Sequence, residues 1–160
     1  IEGINNVKTD YCCIINADGS MDPKYLDEML KECTHKDFVF GSRYQKPGGG
    51  SDDDDFITSL GNFFFTLAGN ILFNLKISDI LYTFILGKTN SFKELNLSNG
   101  DFRICVEIPI KAKIKKMTYV CLPSFERERI GGKKKVNPIK DGLLILSEIV
   151  KYFFKSKNKV

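Results

Sequence analysis

The sequence lacks most of the residues that build compact metal sites or nucleophilic sites. It contains one histidine, His35, which excludes a multi-histidine metal site. This residue follows a predicted helix, so we expect it at the surface and not in a serine–histidine catalytic pair. Its five cysteines are an odd number without the paired spacing of metal ligands, so we expect free, mostly buried thiols in a reducing compartment. No signal peptide is visible, and no apolar run reaches the roughly 18 residues that a membrane-spanning helix needs.

The composition is that of one globular domain. A chain of 160 residues can bury a sizeable core, and 42% apolar with 28% charged residues is ordinary for soluble proteins. The net charge of +4 does not by itself imply nucleic acid, and we expect no nucleic-acid partner. The charges are unevenly spread, with an acidic run at Asp52–Asp55 and three lysines at Lys133–Lys135.

The stretch Tyr11–Pro23 (YCCIINADGSMDP) has the form of a buried strand followed by a ligand-binding turn. Tyr11–Asn16 is apolar and bounded by turn formers, which predicts a strand. Asn16 and Asp18 come at its carboxyl end, the edge at which open α/β sheets bind ligands. A carboxylate there, followed by a flexible glycine, suits a hard cation that carries phosphate oxygens. The alternative is a solvated turn in which Asp22 caps the next helix.

The next segment predicts a second strand that ends at the same edge. Asp22–Pro23 starts a helix, and Asp37–Gly41 is apolar enough for a buried strand. Strand, helix and strand in this order predict parallel neighbours joined by a right-handed crossover. Arg43 follows the second strand, so we expect it to lie beside Asp18 and to receive an anionic ligand. The loop Lys46–Asp55 is expected to be mobile, because three glycines and an acidic run cannot pack.

Phe56–Leu75 is predicted to be the longest helix and is unusually apolar. One narrow polar stripe interrupts it at every fourth residue: Thr58, Asn62, Thr66, Asn70 and Asn74. We expect this helix to be too short and too polar to span a bilayer. Two interpretations stay open, a core helix and a helix partly exposed to a membrane or a lipid tail.

The second half of the chain predicts a strand at Ile80–Leu86, helices at Thr89–Leu95 and Phe102–Lys116, and a strand at Met117–Pro123. Glu107 lies on the inner side of the second of these helices and is a candidate buried carboxylate. Ile130–Val136 joins glycines to lysines, which suits a phosphate-gripping loop, although a solvated charge run is the commoner meaning.

Pro138–Phe154 predicts a closing amphipathic helix with flanking lysines. Its apolar face and basic end suit docking at an anionic bilayer surface, and packing onto the domain is the equally open alternative. We therefore divide the chain into residues 1–137 and a helical segment, 138–160.

Several motifs, taken in order, resemble the family-2 inverting glycosyltransferases. They are NADGSMDP after a strand, GSRY followed by GGG, an aspartate before an apolar strand, FRICVEIPIKA, and Arg129–Lys135. The closest group is the dolichol- or polyprenol-phosphate sugar transferases, and the likeness runs from Gly3 to about Gly142. It implies a GT-A fold, a Rossmann-like α/β sheet with helices on both faces. It also implies inverting sugar transfer from a nucleotide sugar to a polyprenyl or dolichyl phosphate, with Mg²⁺ or Mn²⁺, by an enzyme peripheral at the cytoplasmic face of a membrane.

The resemblance assigns roles to individual residues. The family's metal motif falls on Asn16-Ala17-Asp18, with a further ligand position at Ser20. Its arginine at the acceptor phosphate is Arg43, and its acid near the reacting groups is Asp79. The other matches are the helix glutamate, Glu107, which we take as a structural acid, and the loop that grips the donor diphosphate: Arg129, Gly132, Lys134 and Lys135.

Three departures from the family pattern matter. Asn16 replaces an aspartate and removes one negative charge from the metal site, and Asp52–Asp55 lies about where the family often has a phosphate-binding arginine. The family's first half, which holds the nucleotide base and ribose, should precede Ile1. We therefore expect a C-terminal fragment that is inactive by itself. Two alternatives stay open: a same-fold glycosyltransferase with a polysaccharide or soluble acceptor, and a truncated, non-catalytic module that binds sugar nucleotides.

Overall fold

The computed structural model describes residues 1–132 and 136–157. The strands are β1 (Tyr11–Ile14), β2 (Phe38–Ser42), β3 (Gly50–Ser51), β4 (Ile85–Lys88), β5 (Tyr119–Pro123) and β6 (Phe125–Glu126). The helices are α1 (Glu2–Asn6), α2 (Leu26–Cys33), α3 (Phe56–Phe73), α4 (Thr89–Glu94), α5 (Ile104–Ile114) and α6 (Pro138–Lys157). A 3₁₀ turn at Pro23–Tyr25 precedes α2, with Asp22 as its N-cap, as the Asp-Pro pair predicts.

The main sheet has four strands in the order β1-β4-β2-β5. β4 runs antiparallel to both β1 and β2, while β2 and β5 are parallel neighbours. The prediction that the first two strands are adjacent is therefore wrong. β1 and β2 are parallel in direction, but β4 lies between them. Its backbone N–H and C=O groups form hydrogen bonds with both of these strands.

The strand predicted at Ile80–Leu86 begins later than expected, at Ile85. Ile80, Tyr82 and Phe84 are buried, which explains the apolar pattern. Their segment does not join the ladder as a strand because the backbone N–H groups of Ile80 and Leu81 donate to side chains of α3.

Helices cover both faces of the main sheet. Val39 packs in a cluster with Met29 and Cys33 of α2, whereas its neighbours Phe38 and Phe40 belong to the larger core cluster. That larger cluster also contains residues of α4, α5 and α6. Because successive side chains of a strand point to opposite faces, these two clusters are the two sides of one sheet. The predicted α/β class with helices on both faces is confirmed.

Helix α3 presents its apolar residues outward. Its polar stripe turns toward the protein: Asn62 accepts a hydrogen bond from the Leu81 N–H at 3.1 Å, and Thr66 accepts one from Ile80 at 3.1 Å. Asn70 exchanges two hydrogen bonds with Ile77, at 2.8 and 3.0 Å. Every exposed residue of α3 is apolar: Phe56, Ile57, Leu60, Phe63, Phe64, Leu67, Ile71 and Leu72.

Among the described residues, α3 alone is long and apolar enough to cross a membrane by length and composition. The expectation that it is too short and too polar for this was wrong by that criterion. The reason is that Phe56–Phe73 contains no charged side chain, and its few polar groups are hydroxyls and amides.

The closing helix, α6, packs beside α3 and α5. Ile145, Ile149 and Tyr152 join the larger core cluster, and Glu148 is buried on the same side. The exposed side carries apolar residues and lysines together. Packing onto the domain thus accounts for one face of α6 and leaves the other in contact with solvent.

Glu107 of α5 is buried, as the helical pattern predicts, and holds the loop that precedes its helix. Its two carboxylate oxygens accept hydrogen bonds from the backbone and side chains of Ser98 and Asn99, at 2.8 to 2.9 Å. Lys111 and the Tyr152 hydroxyl of α6 complete its partners. Burial by itself would raise the pKa of Glu107, but these hydrogen bonds outweigh it and lower the pKa to about 2.

Candidate active site at the carboxyl edge of the sheet

A cavity of about 650 Å³ opens where β1, β2 and β5 end. Those strands point the same way, so the segments that follow them meet at one edge of the sheet, where open α/β sheets bind ligands. The cavity is lined by Asn16 and Asp18 after β1, by Arg43 after β2, and by Arg129 beyond β6. The sequence places these four side chains together correctly.

The turn that carries Asp18 is held against the segment that carries Arg129. The backbone of Ile130 donates to the Asp18 carbonyl at 2.8 Å, and that of Arg127 donates to Ser20 at 2.9 Å. Gly19 has a φ of +81°, and a Cβ at this position would lie 2.6 Å from the Ile130 side chain. Only glycine fits this close, left-handed turn.

The oxygen atoms around Asp18 are the ones for which the family resemblance implies a metal ligand role. Asp18 Oδ1 accepts the Ser20 N–H at 3.1 Å, and Asp18 Oδ2 lies 4.0 Å from Arg129 Nη1. Ser20 lies behind the cavity wall, where its hydroxyl oxygen is buried without a hydrogen-bond partner among the described residues. In the described part of the chain, no group of three or more His, Cys, Asp or Glu side chains could form a protein-only metal cage. One carboxylate and one amide suit a cation that takes its remaining oxygens from phosphates and water.

Arg43 is a buried charge of the cavity wall. Its guanidinium makes two hydrogen bonds to Asp79, at 2.8 and 3.0 Å, and its backbone N–H donates to the same carboxylate. Nη1 reaches Asp54 at 2.9 Å and Glu126 at 3.0 Å, and the ring of Tyr82 lies 4.6 Å from the guanidinium carbon. Asp79 is fully buried behind Arg43 and does not line the cavity.

Three carboxylates therefore face one guanidinium. Burial would lower the pKa of Arg43, but Asp79, Asp54 and Glu126 outweigh it and raise this pKa well above its ordinary value. Burial raises the pKa of Glu126 despite the neighbouring Arg43. The excess of negative charge means that Arg43 carries no unpaired positive charge for a ligand in this arrangement.

The acidic loop packs into the site, contrary to the expectation that it is mobile. Gly50–Ser51 forms strand β3, which pairs with β6. The Ser51 hydroxyl donates to Glu126 and accepts the backbone N–H groups of Asp53 and Asp54. The Asp53 carboxylate meets Arg129 through two bonds, from Nε at 3.1 Å and from Nη2 at 2.5 Å. Composition predicts the loop but carries no signal for the arginines that order it.

Glu126, Asp53 and Asp54 also line the cavity, which the sequence did not predict. Glu126 lies in the alternating charged stretch after β5, and this alternation is the one signal that could have placed it on the inner face. Gly132 lines the cavity with a φ of +85°. The predicted phosphate-gripping residues Lys134 and Lys135 lie outside the described residues.

The profile of the family described as Glycosyl transferase family 2 matches residues 1–95, more than half of the chain. The chain belongs to glycosyltransferase family 2. The matched region contains Asn16, Asp18, Arg43 and Asp79, whereas Glu126 and Arg129 lie beyond it. No match to a curated protein was found for this chain.

Membership of family 2 indicates glycosyl transfer, and domains of this family bind nucleotide-sugar donors. The mixed sheet with helices on both faces is consistent with a GT-A type glycosyltransferase domain. The cavity at the carboxyl edge of the sheet is thus the candidate site for donor and acceptor.

Proposed function

We propose that the complete protein transfers a sugar, with inversion, from a nucleotide sugar to a polyprenyl or dolichyl phosphate at a membrane surface. The observation that carries this proposal is the position of α3. Its first turn reaches the cavity through Thr58, while Phe56 and Ile57 beside it are 79% and 65% exposed. A lipid that lies against this apolar surface can present its phosphate to the cavity.

The donor end of the reaction belongs to Asp18, Asn16 and Arg129. A divalent cation, Mg²⁺ or Mn²⁺, held by Asp18 and Asn16 together with the donor phosphates would supply positive charge there. Arg129 lies next to Asp18 and can pair with the same diphosphate. When the bond from the anomeric carbon to the diphosphate oxygen breaks, the electron pair stays on that oxygen, and Arg129 stabilises the new charge.

The acceptor needs little help from a base. A phosphate monoester has a second pKa near about 6, so its oxygen is already ionised at neutral pH and attacks the anomeric carbon directly. The enzyme then contributes mostly positioning and charge stabilisation. Arg43 is the acceptor-phosphate residue in this scheme, and Asp79 is a positioning residue that holds the Arg43 guanidinium from behind.

The membrane contact rests on α3 and α6, which pack side by side. Both helices carry exposed apolar residues, and α6 adds exposed lysines: Lys140, Lys151, Lys155 and Lys157. Apolar contact combined with basic charge suits the anionic lipids of a cytoplasmic leaflet. We therefore propose a peripheral location at the cytoplasmic face of a membrane.

One observation favours a second candidate, a transferase that acts on a hydroxyl acceptor. Glu126 lines the cavity, and its raised pKa suits a carboxylate that removes a proton from a sugar hydroxyl. This candidate needs no lipid-facing helix, and the exposed face of α3 argues against it.

The acceptor decides between these candidates. We expect the complete protein with Mn²⁺ to transfer sugar to polyprenyl phosphate but not to free sugars or polysaccharide. Transfer to the free sugars alone would favour the hydroxyl acceptor and overturn the lipid proposal.

The Asp18→Ala variant tests the donor site in the same assay. We expect it to lose transfer by about a hundredfold or more, since it removes the carboxylate at the cation and diphosphate. Asp27→Ala removes an exposed carboxylate of α2 outside the cavity and should keep the wild-type rate. A wild-type rate from Asp18→Ala would refute the assignment.

A further inference from the structure

We propose that Asp53 and Asp54 are internal substitutes for substrate phosphates and that they close the site until a phosphate ligand displaces them. This inference rests on the proposed function, because it assigns the same arginines to the donor diphosphate and the acceptor phosphate. The ligand class that competes with the loop is a diphosphate or a phosphate monoester.

The first contact occupies Arg129, the arginine assigned to the diphosphate of the sugar donor. Asp53 meets Arg129 through two N–H···O bonds, one to each carboxylate oxygen. This fork geometry is also the one by which arginine binds a phosphate group. The hydrogen bond to Asp53 is the main cause of the raised pKa of Arg129.

The second contact occupies Arg43, the arginine assigned to the phosphate of the acceptor. Asp54 Oδ1 lies 2.9 Å from Arg43 Nη1, and its Oδ2 accepts the Tyr44 hydroxyl at 2.6 Å. The other carboxylates on Arg43 come from Asp79, behind it, and from Glu126 of β6. Asp54 is the only one of the three that comes from the acidic loop, so its departure leaves Arg43 oriented by Asp79 and frees one N–H of Nη1, which still donates to Glu126.

The loop is fixed at both ends and carries its two acids between them. Ser51 lies in β3, and Asp55 caps α3 by accepting the Thr58 N–H at 2.7 Å. Asp53 and Asp54 are tied to Ser51 by their backbone N–H groups, at 3.2 and 3.1 Å. Displacement of the acids breaks these backbone bonds together with their side-chain bonds to Arg43, Tyr44 and Arg129, and it leaves the pairing of β3 and the cap of α3 in place.

The acidic loop and a phosphate ligand exclude each other from the cavity because both are negatively charged. With Asp53 and Asp54 in place, a phosphate would enter a cavity in which the described residues set four carboxylates, these two with Asp18 and Glu126, against two arginines. Like charges at this distance repel strongly in a partly buried site. A diphosphate therefore binds by taking over the bonds that Asp53 and Asp54 make, and the loop lowers its apparent affinity.

The test is a titration of inorganic pyrophosphate, with Mg²⁺ at a fixed concentration, into the full chain by isothermal calorimetry. We expect Asp53→Asn and Asp54→Asn each to bind about threefold to tenfold more tightly than wild type, the range for removal of one competing ion pair. Asp52→Asn is the matched control, since it removes the same charge from the same loop but from an exposed side chain. We expect the pyrophosphate affinity of Asp52→Asn to stay within about twofold of that of wild type.

The outcomes separate this inference from the proposed function. If wild type binds pyrophosphate and Asp53→Asn binds no better than Asp52→Asn, the loop is not a competitor and the inference is wrong, while the donor site stands. If neither wild type nor Asp53→Asn binds, or if Arg129→Gln binds as wild type does, the proposed donor site fails and the inference fails with it.

A second measurement needs no substitution. Hydrogen exchange of the Asp53 and Asp54 amides, which donate to Ser51, should accelerate when pyrophosphate binds to wild type. Unchanged or slower exchange at saturation would contradict displacement of the loop.

Discussion

Helices α2 and α3 are both amphipathic, but they turn opposite faces to the protein. α2 buries Met29 and Cys33 and leaves charged residues outside. α3 buries Asn62 and Gly69 and leaves phenylalanine, leucine and isoleucine side chains outside. The comparison shows that a helical repeat groups residues on a face but does not decide which face meets the core.

The connection that follows α3 explains the reversal. Residues 77–81 form no strand, so their buried backbone N–H groups need acceptors from elsewhere. Asn62, Thr66 and Asn70 provide them, which commits the polar stripe of α3 to the interior. The same segment carries Asp79, so the reversed helix also supports the residue that orients Arg43.

The largest expected difference is in the unfolding free energy lost when a buried residue of α2 or an exposed residue of α3 is truncated. Met29 is 1% exposed, and we expect Met29→Ala to lower the free energy of unfolding by about 2 to 5 kcal/mol. Ile71 is 71% exposed, and Ile71→Ala should change it by less than about 0.5 kcal/mol. Urea unfolding measures both. Equal losses would show that the outer face of α3 is packed and would remove the contrast.

An intermediate effect is expected from the polar stripe. Asn62→Ala leaves the buried Leu81 N–H without its acceptor, which should cost about 1 to 3 kcal/mol of unfolding free energy. Asn90→Ala changes an exposed asparagine of α4 and serves as the matched control. If the two variants unfold at the same urea concentration, the stripe does not hold the 77–81 segment.

The third prediction tests what covers the outer face of α3. Wild type should sediment with liposomes of phosphatidylcholine and phosphatidylglycerol at low salt, and Phe63→Ser with Phe64→Ser should weaken this binding about tenfold or more. Leu30→Ser alters an exposed leucine of α2 and should bind as wild type does. Wild type that stays in the supernatant would contradict a membrane contact.

The sequence predicts local features better than long-range pairing. The helix at α3 and its polar stripe follow from spacing, as does the turn after β1 that presents Asp18. The insertion of β4 between β1 and β2 does not, because it depends on pairing between distant segments. The sequence also does not predict the hydrogen-bond partners of the polar stripe. Residues 77–81 have the apolar pattern of a strand, but their backbone N–H groups donate to side chains of α3.

In the candidate site too, the sequence predicts the residues of local motifs but not the contacts between distant segments. Asn16, Asp18, Arg43 and Arg129 line one cavity, as motif order predicts. Asp53 and Asp54 were assigned to a mobile loop because four acids in a row resemble solvated chain. Two arginines from distant segments order them instead, and no property of the loop by itself carries that information.

The central claim is that this cavity transfers a sugar to a lipid phosphate, and a matched pair of arginines tests it most directly. Arg129 lines the cavity, whereas Arg127, two residues earlier, pairs with Asp22 and lies outside the cavity lining. The measurement is the initial rate of sugar transfer to polyprenyl phosphate by the complete protein. Arg129→Ala should lose about a hundredfold or more of this rate, while Arg127→Ala should stay within about threefold of wild type. Equal rates from the two variants would contradict the account.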